Sequence, residues 1–309
     1  MALLYSRFFR GRAAQEATRL TAVSVRRRAA RDGLLLAGII FTAYWFWSIL
    51  QVPFNSDAAI YWSAPLDDPY AGARIGGLGA YLYSPAFLQL MAPFRLLPWE
   101  TFHLLWSLIL LGCLVWLVGR LTPVVIVLPP VTDEIIVGNI NLLIAVAVAL
   151  GFRYAASWSF PLLTKVMPGI GLLWFALRRE WRPLTIALAT SVVVAGVSFA
   201  IAPRLWFDWA GVLVESALHP GTDHIPLTAL LPIPLWLRLP VAAALIVVAA
   251  RRGRAWLMPV VIVLALPALW MSALVILLAI PRLRRTAPER QAALAAPAER
   301  AATAEAPSS

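Results

Sequence analysis

This 309-residue chain predicts an all-α, polytopic membrane fold, and three observations carry that reading. The chain is 61% hydrophobic with a mean hydropathy of +0.80, well above the roughly 45–50% apolar content of soluble domains. Its apolar residues fall into runs, the longest of them long enough to cross a bilayer. Arginines cluster between those runs in the pattern of the positive-inside rule. The net charge of +11 therefore points to a membrane rather than to nucleic acid. The single cysteine, Cys113, lies in an apolar stretch and supports neither a disulfide nor a thiolate metal cluster. No metal site and no cofactor are expected.

Taken in order, residues 1–32 form a cytoplasmic Arg-rich arm with eight arginines and no removable signal peptide. A transmembrane domain follows over residues 33–285. Its first span, residues 33–52, ends in an aromatic belt at Tyr44-Trp45-Phe46-Trp47. Outer loops are expected near residues 53–99 and 203–233. Within the first, residues 84–98 are apolar but too short to span upright and carry Arg95, so they predict a helix lying in the outer interface. Residues 100–119 return inward to Arg120. Shorter runs follow at 121–132, 138–151, 155–166 and 168–177, each too short to cross alone as a straight helix. Broken backbone of this kind is tolerated when buried in a bundle around a polar cavity. Residues 183–202 and 234–250 read as full spans, and residues 256–280 as a pair hinged near Pro267. The total is about ten segments, several short or broken. Residues 286–309, rich in Ala, Pro, Glu and Ser, read as a disordered cytoplasmic tail.

This topology places nine of the fifteen acids on the outer side: Asp57, Asp67, Asp68, Glu100, Asp133, Glu134, Asp208, Glu215 and Asp223. The orientation rule counts only arginines, so the segregated acids independently indicate a polar outer cavity. The expected location is the cell inner (plasma) membrane, multi-pass, with both termini cytoplasmic and the active site on the outer face.

Asp57 opens the first polar loop just beyond the first span, where a charge beside hydrocarbon is costly. It reads either as a functional carboxylate or as a solvated helix-end acid. Lys165 is the only lysine beside 25 arginines, and it sits where two short runs meet, three residues before Pro168. An ammonium at that depth needs a counter-charge, supplied by a ligand phosphate or carboxylate or by a protein acid such as Asp133 or Glu134. Tyr61 and Trp62 follow Asp57 so that Tyr61 lies one helical turn on. Their rings suit either a sugar face or the membrane belt. Asp67-Asp68-Pro69-Tyr70 is first a turn signal, with a substrate contact from Asp68 as the sharper reading. Asn139 and Asn141, in Gly138-Asn139-Ile140-Asn141, cap a span or line the cavity. His219 and His224 lie in the second outer loop beside Asp223, at a spacing that makes no convincing metal site. They read as solvated loop residues or as contacts to substrate.

The chain has no phosphate-binding Gly-rich loop, no HExxH pair and no GxSxG elbow, which argues against a cytosolic nucleotide-driven reaction. A membrane enzyme of this kind can draw an activated substrate from the bilayer, and a polyprenyl phosphosugar fits. Its tail would sit in lipid, its phosphate near a cation and its sugar in the outer cavity. A lipid or sugar-lipid transporter using the same cavity without chemistry is the alternative, although no internal repeat of the kind common in transporters is visible.

The ordered motifs resemble glycosyltransferase family 87. They are Asp57-x-x-x-Tyr61-Trp62-x-Ala64, Pro69-Tyr70, Tyr83-Ser84-Pro85-Ala86-Phe87, Ala92-Pro93-Phe94, Leu97-Pro98, Gly138-Asn139-Ile140-Asn141 and Lys165-Val166-Met167-Pro168. The resemblance runs over roughly residues 34–182. It implies a glycosyltransferase C-like fold and a hexosyltransferase, of the polyprenyl-phosphate-mannose-dependent mannosyltransferase type, working in the cell envelope. The implied partners are a polyprenyl phosphosugar donor, a glycolipid or glycan acceptor and membrane lipids, with no nucleic acid. By the same resemblance Asp57 matches the catalytic base. Lys165 and Arg204 would meet the donor phosphate. Tyr61, Trp62, Asp68, Asn139, Asn141, His219 and His224 would meet sugar or acceptor. Transfer would proceed with inversion.

Overall fold

The structure is a computed structural model. It describes residues 57–73, 79–218 and 233–285, with scattered positions between 25 and 43, all of them helical. Most of the first expected span and most of the N-terminal arm, the C-terminal tail, and His219, Asp223 and His224 lie outside the described residues.

Among the described residues all the regular secondary structure is helical, α-helix and 3-10 helix, without strands. The helices are α1 (Asp57–Ser63), α2 (Pro85–Met91), α3 (Trp99–Val118), α4 (Pro129–Val137), α5 (Asn141–Gly151) and α6 (Ser159–Thr164). They continue with α7 (Leu173–Leu177), α8 (Trp181–Ile201), α9 (Pro203–Leu218), α10 (Leu235–Arg251) and α11 (Met258–Ala265). Two helical stretches are long and apolar enough to cross a membrane, Trp99–Val125 and Trp181–Ile201. A third crossing is possible if α4 and α5, bent by 108° at their junction, count as one broken span.

The breaks have local causes. Gly138 ends α4 in the left-handed region at φ 73°, a conformation glycine adopts without penalty. Lys165 ends α6 with extended backbone, and Pro168 then opens the 3-10 stretch Met167–Leu172. A proline is welcome there because the first-turn N–H has no helical partner. The expected hinge near Pro267 is present: α11 stops at Ala265 and a 3-10 stretch resumes at Met271. Arg238 on α10 clamps this break, donating to the carbonyls of Leu264 (3.0 Å), Leu266 (2.7 Å) and Pro267 (3.0 Å). Arg282 likewise donates to the Trp116 carbonyl and lies 4.6 Å over that indole, tying the end of the domain to α3.

Part of the expected second outer loop is helical. Residues 203–218, expected as loop, form the amphipathic helix α9. The stretch is too polar to span, which made it look like loop. Yet Leu205 and Trp209 recur one turn apart and are buried, while Phe207, Val214 and Leu218 face outward. That is the signature of a helix with one apolar stripe packed on a bundle. The Trp209 indole donates to the Leu82 carbonyl at 3.1 Å, fastening α9 to the segment before α2.

Candidate active site

Five side chains from four segments meet in a polar network inside this apolar bundle. At one end stands Asp57, the first residue of α1, which accepts a hydrogen bond from the Asn139 amide. The Asn139 oxygen accepts from the Lys165 ammonium at 3.0 Å. The same ammonium donates to the Asn141 oxygen at 2.9 Å. The Asn141 amide in turn donates to Glu134 at 2.9 Å, and the other oxygen of Glu134 accepts the Leu142 backbone N–H, also at 2.9 Å. The order is carboxylate, amide, ammonium, amide, carboxylate. Each asparagine turns its oxygen toward the cation and its NH2 toward an acid, the orientation that electrostatics demands.

Burial makes the arrangement consequential. Glu134 has no exposure and Asn141 only 1%, while Asn139 is also buried and Asp57 and Lys165 are half-buried. Burial pushes the Asp57 carboxyl above its ordinary range, and the Lys165 charge and the Asn139 hydrogen bond pull it partly back. A carboxylate set in this way is a stronger proton acceptor than one in water.

The profile of Glycosyltransferase family 87 matches residues 81–298. The chain belongs to glycosyltransferase family 87. No curated protein and no solved structure matches it. This family 87 protein is therefore a membrane glycosyltransferase. The matched stretch contains Glu134, Asn139, Asn141 and Lys165, whereas Asp57 and Tyr61 precede it.

The junction of α4 and α5 carries the amides, Asn139 in the turn and Asn141 at the start of α5, and α1 carries the acid. What holds the two together is Gly138. A Cβ on Gly138 would lie 2.6 Å from the Ala58 Cβ, so only glycine lets the loop close against α1. Trp106 on α3 locks the junction by donating its indole N–H to the Gly138 carbonyl at 2.7 Å. Gly138→Ala should therefore separate Asp57 from Asn139 and cost activity more than stability. The activity loss should be about tenfold or greater, given the sensitivity of catalysis to displacements near 1 Å. The check is transfer rate beside thermal midpoint for the same preparation.

Tyr61 sits one turn beyond Asp57, as the spacing predicted, but it is fully buried. Its hydroxyl bonds to that of Tyr83 at 2.8 Å, and its ring meets Tyr83, Phe87 and Trp106 edge-on at 5.0, 5.2 and 5.6 Å. Tyr83 lines the network, its ring centre 5.8 Å from the Lys165 ammonium. Trp62 points elsewhere, donating to the Leu97 carbonyl at 3.0 Å and packing on Trp99. Asp68 is exposed. Arg204, also exposed, pairs with Asp208 one turn along α9 at 3.5 Å. The structure thus gathers Asp57, Tyr61, Asn139, Asn141 and Lys165, and brings none of Trp62, Asp68 or Arg204 into that network.

Glu134 is the member that residue-by-residue reading missed as a site residue. It figured only as a boundary acid and as one possible partner of Lys165. The structure makes it that partner through an intervening amide. Its contacts to Asn141 and Leu142 depend on the chain folding back after Gly138, which no motif in the sequence marks. Among the described residues no cluster of three or more His, Cys, Asp or Glu could hold a metal ion.

Proposed function

We propose that this family 87 protein transfers a hexose, mannose by the family pattern, from a polyprenyl phosphosugar to a hydroxyl of a glycolipid or glycan acceptor, inverting the anomeric centre. The observation that carries the proposal is the link from Asp57 through Asn139 to Lys165. It sets a proton acceptor and a cation side by side, which is what displacement of a phosphate leaving group requires.

In this mechanism Asp57 takes the proton of the acceptor hydroxyl. The freed oxygen forms a bond to the anomeric carbon as the bond from that carbon to the phosphate oxygen breaks. The electron pair leaves with the polyprenyl phosphate, so a β-linked donor yields an α-linked product. Lys165 uses two N–H groups on the amide oxygens and has a third to offer the departing phosphate. Asn139 positions Asp57 by occupying one lone pair of its carboxylate. Tyr83, backed by the fully buried Tyr61, forms the aromatic wall of the site.

The wider architecture in this proposal has about ten transmembrane segments, several short or broken, in the bacterial inner (plasma) membrane. The domain covers residues 33–285, flanked by a cytoplasmic arm at 1–32 and a cytoplasmic tail at 286–309. The site opens on the outer face, where the donor's sugar is presented, and needs no cofactor. Protease protection of tags placed at the two termini and in the 203–233 region tests the orientation. Termini accessible from the outside of intact cells would reverse it.

A pH profile tests the role of Asp57. The base must be ionised, and its burial sets its proton affinity above that of a free aspartate. Transfer should therefore fall as the pH drops through a value above the usual aspartate range, and recover fully when the pH is restored. A profile flat down to pH 4 would remove Asp57 from the chemistry.

A further inference from the structure

A cavity of about 260 Å³ lies at the opposite end of the bundle from the polar network. Two helices fix its position. Helix α5 starts at Asn141, inside the network, and ends at Gly151 on the cavity wall, about 15 Å further along. Helix α8 starts with Arg182 and Pro183 on the same wall. Its other end reaches the network's side: the Ser198 carbonyl accepts from Gln89 of α2 at 3.1 Å, and Phe87 on that helix packs on Tyr61. Along α8, Arg182 and Ser198 are about 24 Å apart, most of the thickness of a bilayer core.

The wall offers donors and no acid. Arg153 and Arg182 line it, and neither side chain has a hydrogen bond or an ion pair to any described residue. Arg153 lies 5.2 Å over the Tyr154 ring, a contact that commits none of its N–H groups. Glu180, the acid nearest Arg182 along the chain, is held by Arg178 at 2.7 Å. Helix α8 begins here without a side-chain cap, so its positive N-terminal end belongs to the same wall. A further donor stands behind it. Trp158 is fully buried, its indole N–H has no partner among the described residues, and its nitrogen edge is turned on Gly151, where a Cβ would lie 2.4 Å from Nε1. Converging donors without an acceptor suit an anion. The rest of the lining is apolar: Phe152, Ala155, Pro183 and Ile186. Ile186 is also exposed, as are Val193 and Val197 two and three turns on, so the cavity runs into a lipid-facing stripe of α8. The exposed rings of Tyr154 and Trp181 flank the two arginines, the pairing found at the level of lipid headgroups.

We infer that this cavity seats the headgroup of an anionic phospholipid, with its phosphate between Arg153 and Arg182 and an acyl chain along Ile186, Val193 and Val197. Basic pockets between membrane helices take such headgroups, and guanidinium groups match phosphate oxygens in geometry as well as charge. A zwitterionic lipid carries a cation of its own into a wall of donors, so the site selects net negative charge. The lipid is no substrate, being a bilayer's depth from Asp57. It braces the 3-10 turn Ala155–Trp158, which packs on α8 and leads through α6 to Lys165.

Purified full-length protein in phospholipid-free detergent is titrated separately with short-chain phosphatidylglycerol, with phosphatidylcholine of the same chains and with inorganic phosphate. The thermal midpoint is followed throughout. Phosphatidylglycerol should raise the midpoint progressively with concentration, because it binds the folded state. Phosphatidylcholine and inorganic phosphate should leave it where it is. Arg153→Gln combined with Arg182→Gln should move the phosphatidylglycerol titration to concentrations about tenfold higher or more. Arg251→Gln combined with Arg252→Gln removes two exposed arginines outside the cavity and should leave the titration in place. No rise of the midpoint with phosphatidylglycerol would overturn the inference. Equal shifts in the two double variants would do the same, since diffuse charge would then explain the binding. Phosphatidylcholine matching phosphatidylglycerol would remove the selectivity for charge, and inorganic phosphate matching it would make the cavity a free-anion site; either result contradicts a seat for an anionic lipid.

Discussion

Lys165→Met should be the most destabilising single change in the polar network, lowering stability by about 2–4 kcal/mol. Removing one partner of a fully buried charge set costs about 3–5 kcal/mol, because the remaining charges stay desolvated without compensation. Lys165 is half-buried, so part of that cost is relieved by solvent. The change also leaves the oxygens of Asn139 and Asn141 without their shared donor. The cost should fall on Glu134 above all, since it has no exposure. Adding Glu134→Gln to Lys165→Met should therefore restore part of the lost stability, while Glu134→Gln alone destabilises. Thermal unfolding of the two single variants and the double variant closes this cycle. Additive losses would mean that Glu134 and Lys165 do not act through Asn141. In kinetics, Lys165→Met should raise the KM for donor more than that for acceptor. Equal effects on both would count against a role at the donor phosphate.

The second large effect is on rate. Asp57→Asn should lower transfer about 10²–10⁴-fold, the usual contribution of a positioned general base. The substitution is nearly isosteric and leaves Asn139 opposite an amide instead of a carboxylate, so the chain should still fold. Donor affinity should change little, because the base acts on the acceptor hydroxyl. Initial rates and donor binding measured on one membrane preparation separate these effects. A parallel loss of donor binding would make Asp57 a structural anchor of the α4–α5 loop instead.

The sequence exposes these elements unevenly, for physical reasons. The long spans at α3 and α8 are visible because twenty or so apolar residues admit few other readings. The helical spacing of Asp57 and Tyr61 is visible too, since i and i+4 share a face. The breaks at Gly138, Pro168 and Pro267 announce themselves through residues that end helices. Helix α9 is harder to see, because its apolar stripe is diluted by Arg204, Asp208 and Glu215 below the level that hydropathy detects. Glu134 is concealed for a different reason. Its role depends on α4 and α5 folding back at 108°, which brings residue 134 onto residues 141 and 142. A spacing of seven or eight along the chain carries no sign of that bend.

The most direct test of an inverting, Asp57-based transfer is the anomeric outcome. Purified protein would be supplied with a β-linked polyprenyl phosphomannose and a panel of hydroxyl acceptors, and the product's anomeric configuration would be read by NMR. The predicted result is an α-linked product from the unaltered protein and none from Asp57→Asn over the same interval. A β-linked product, or an undiminished yield from Asp57→Asn, would contradict it.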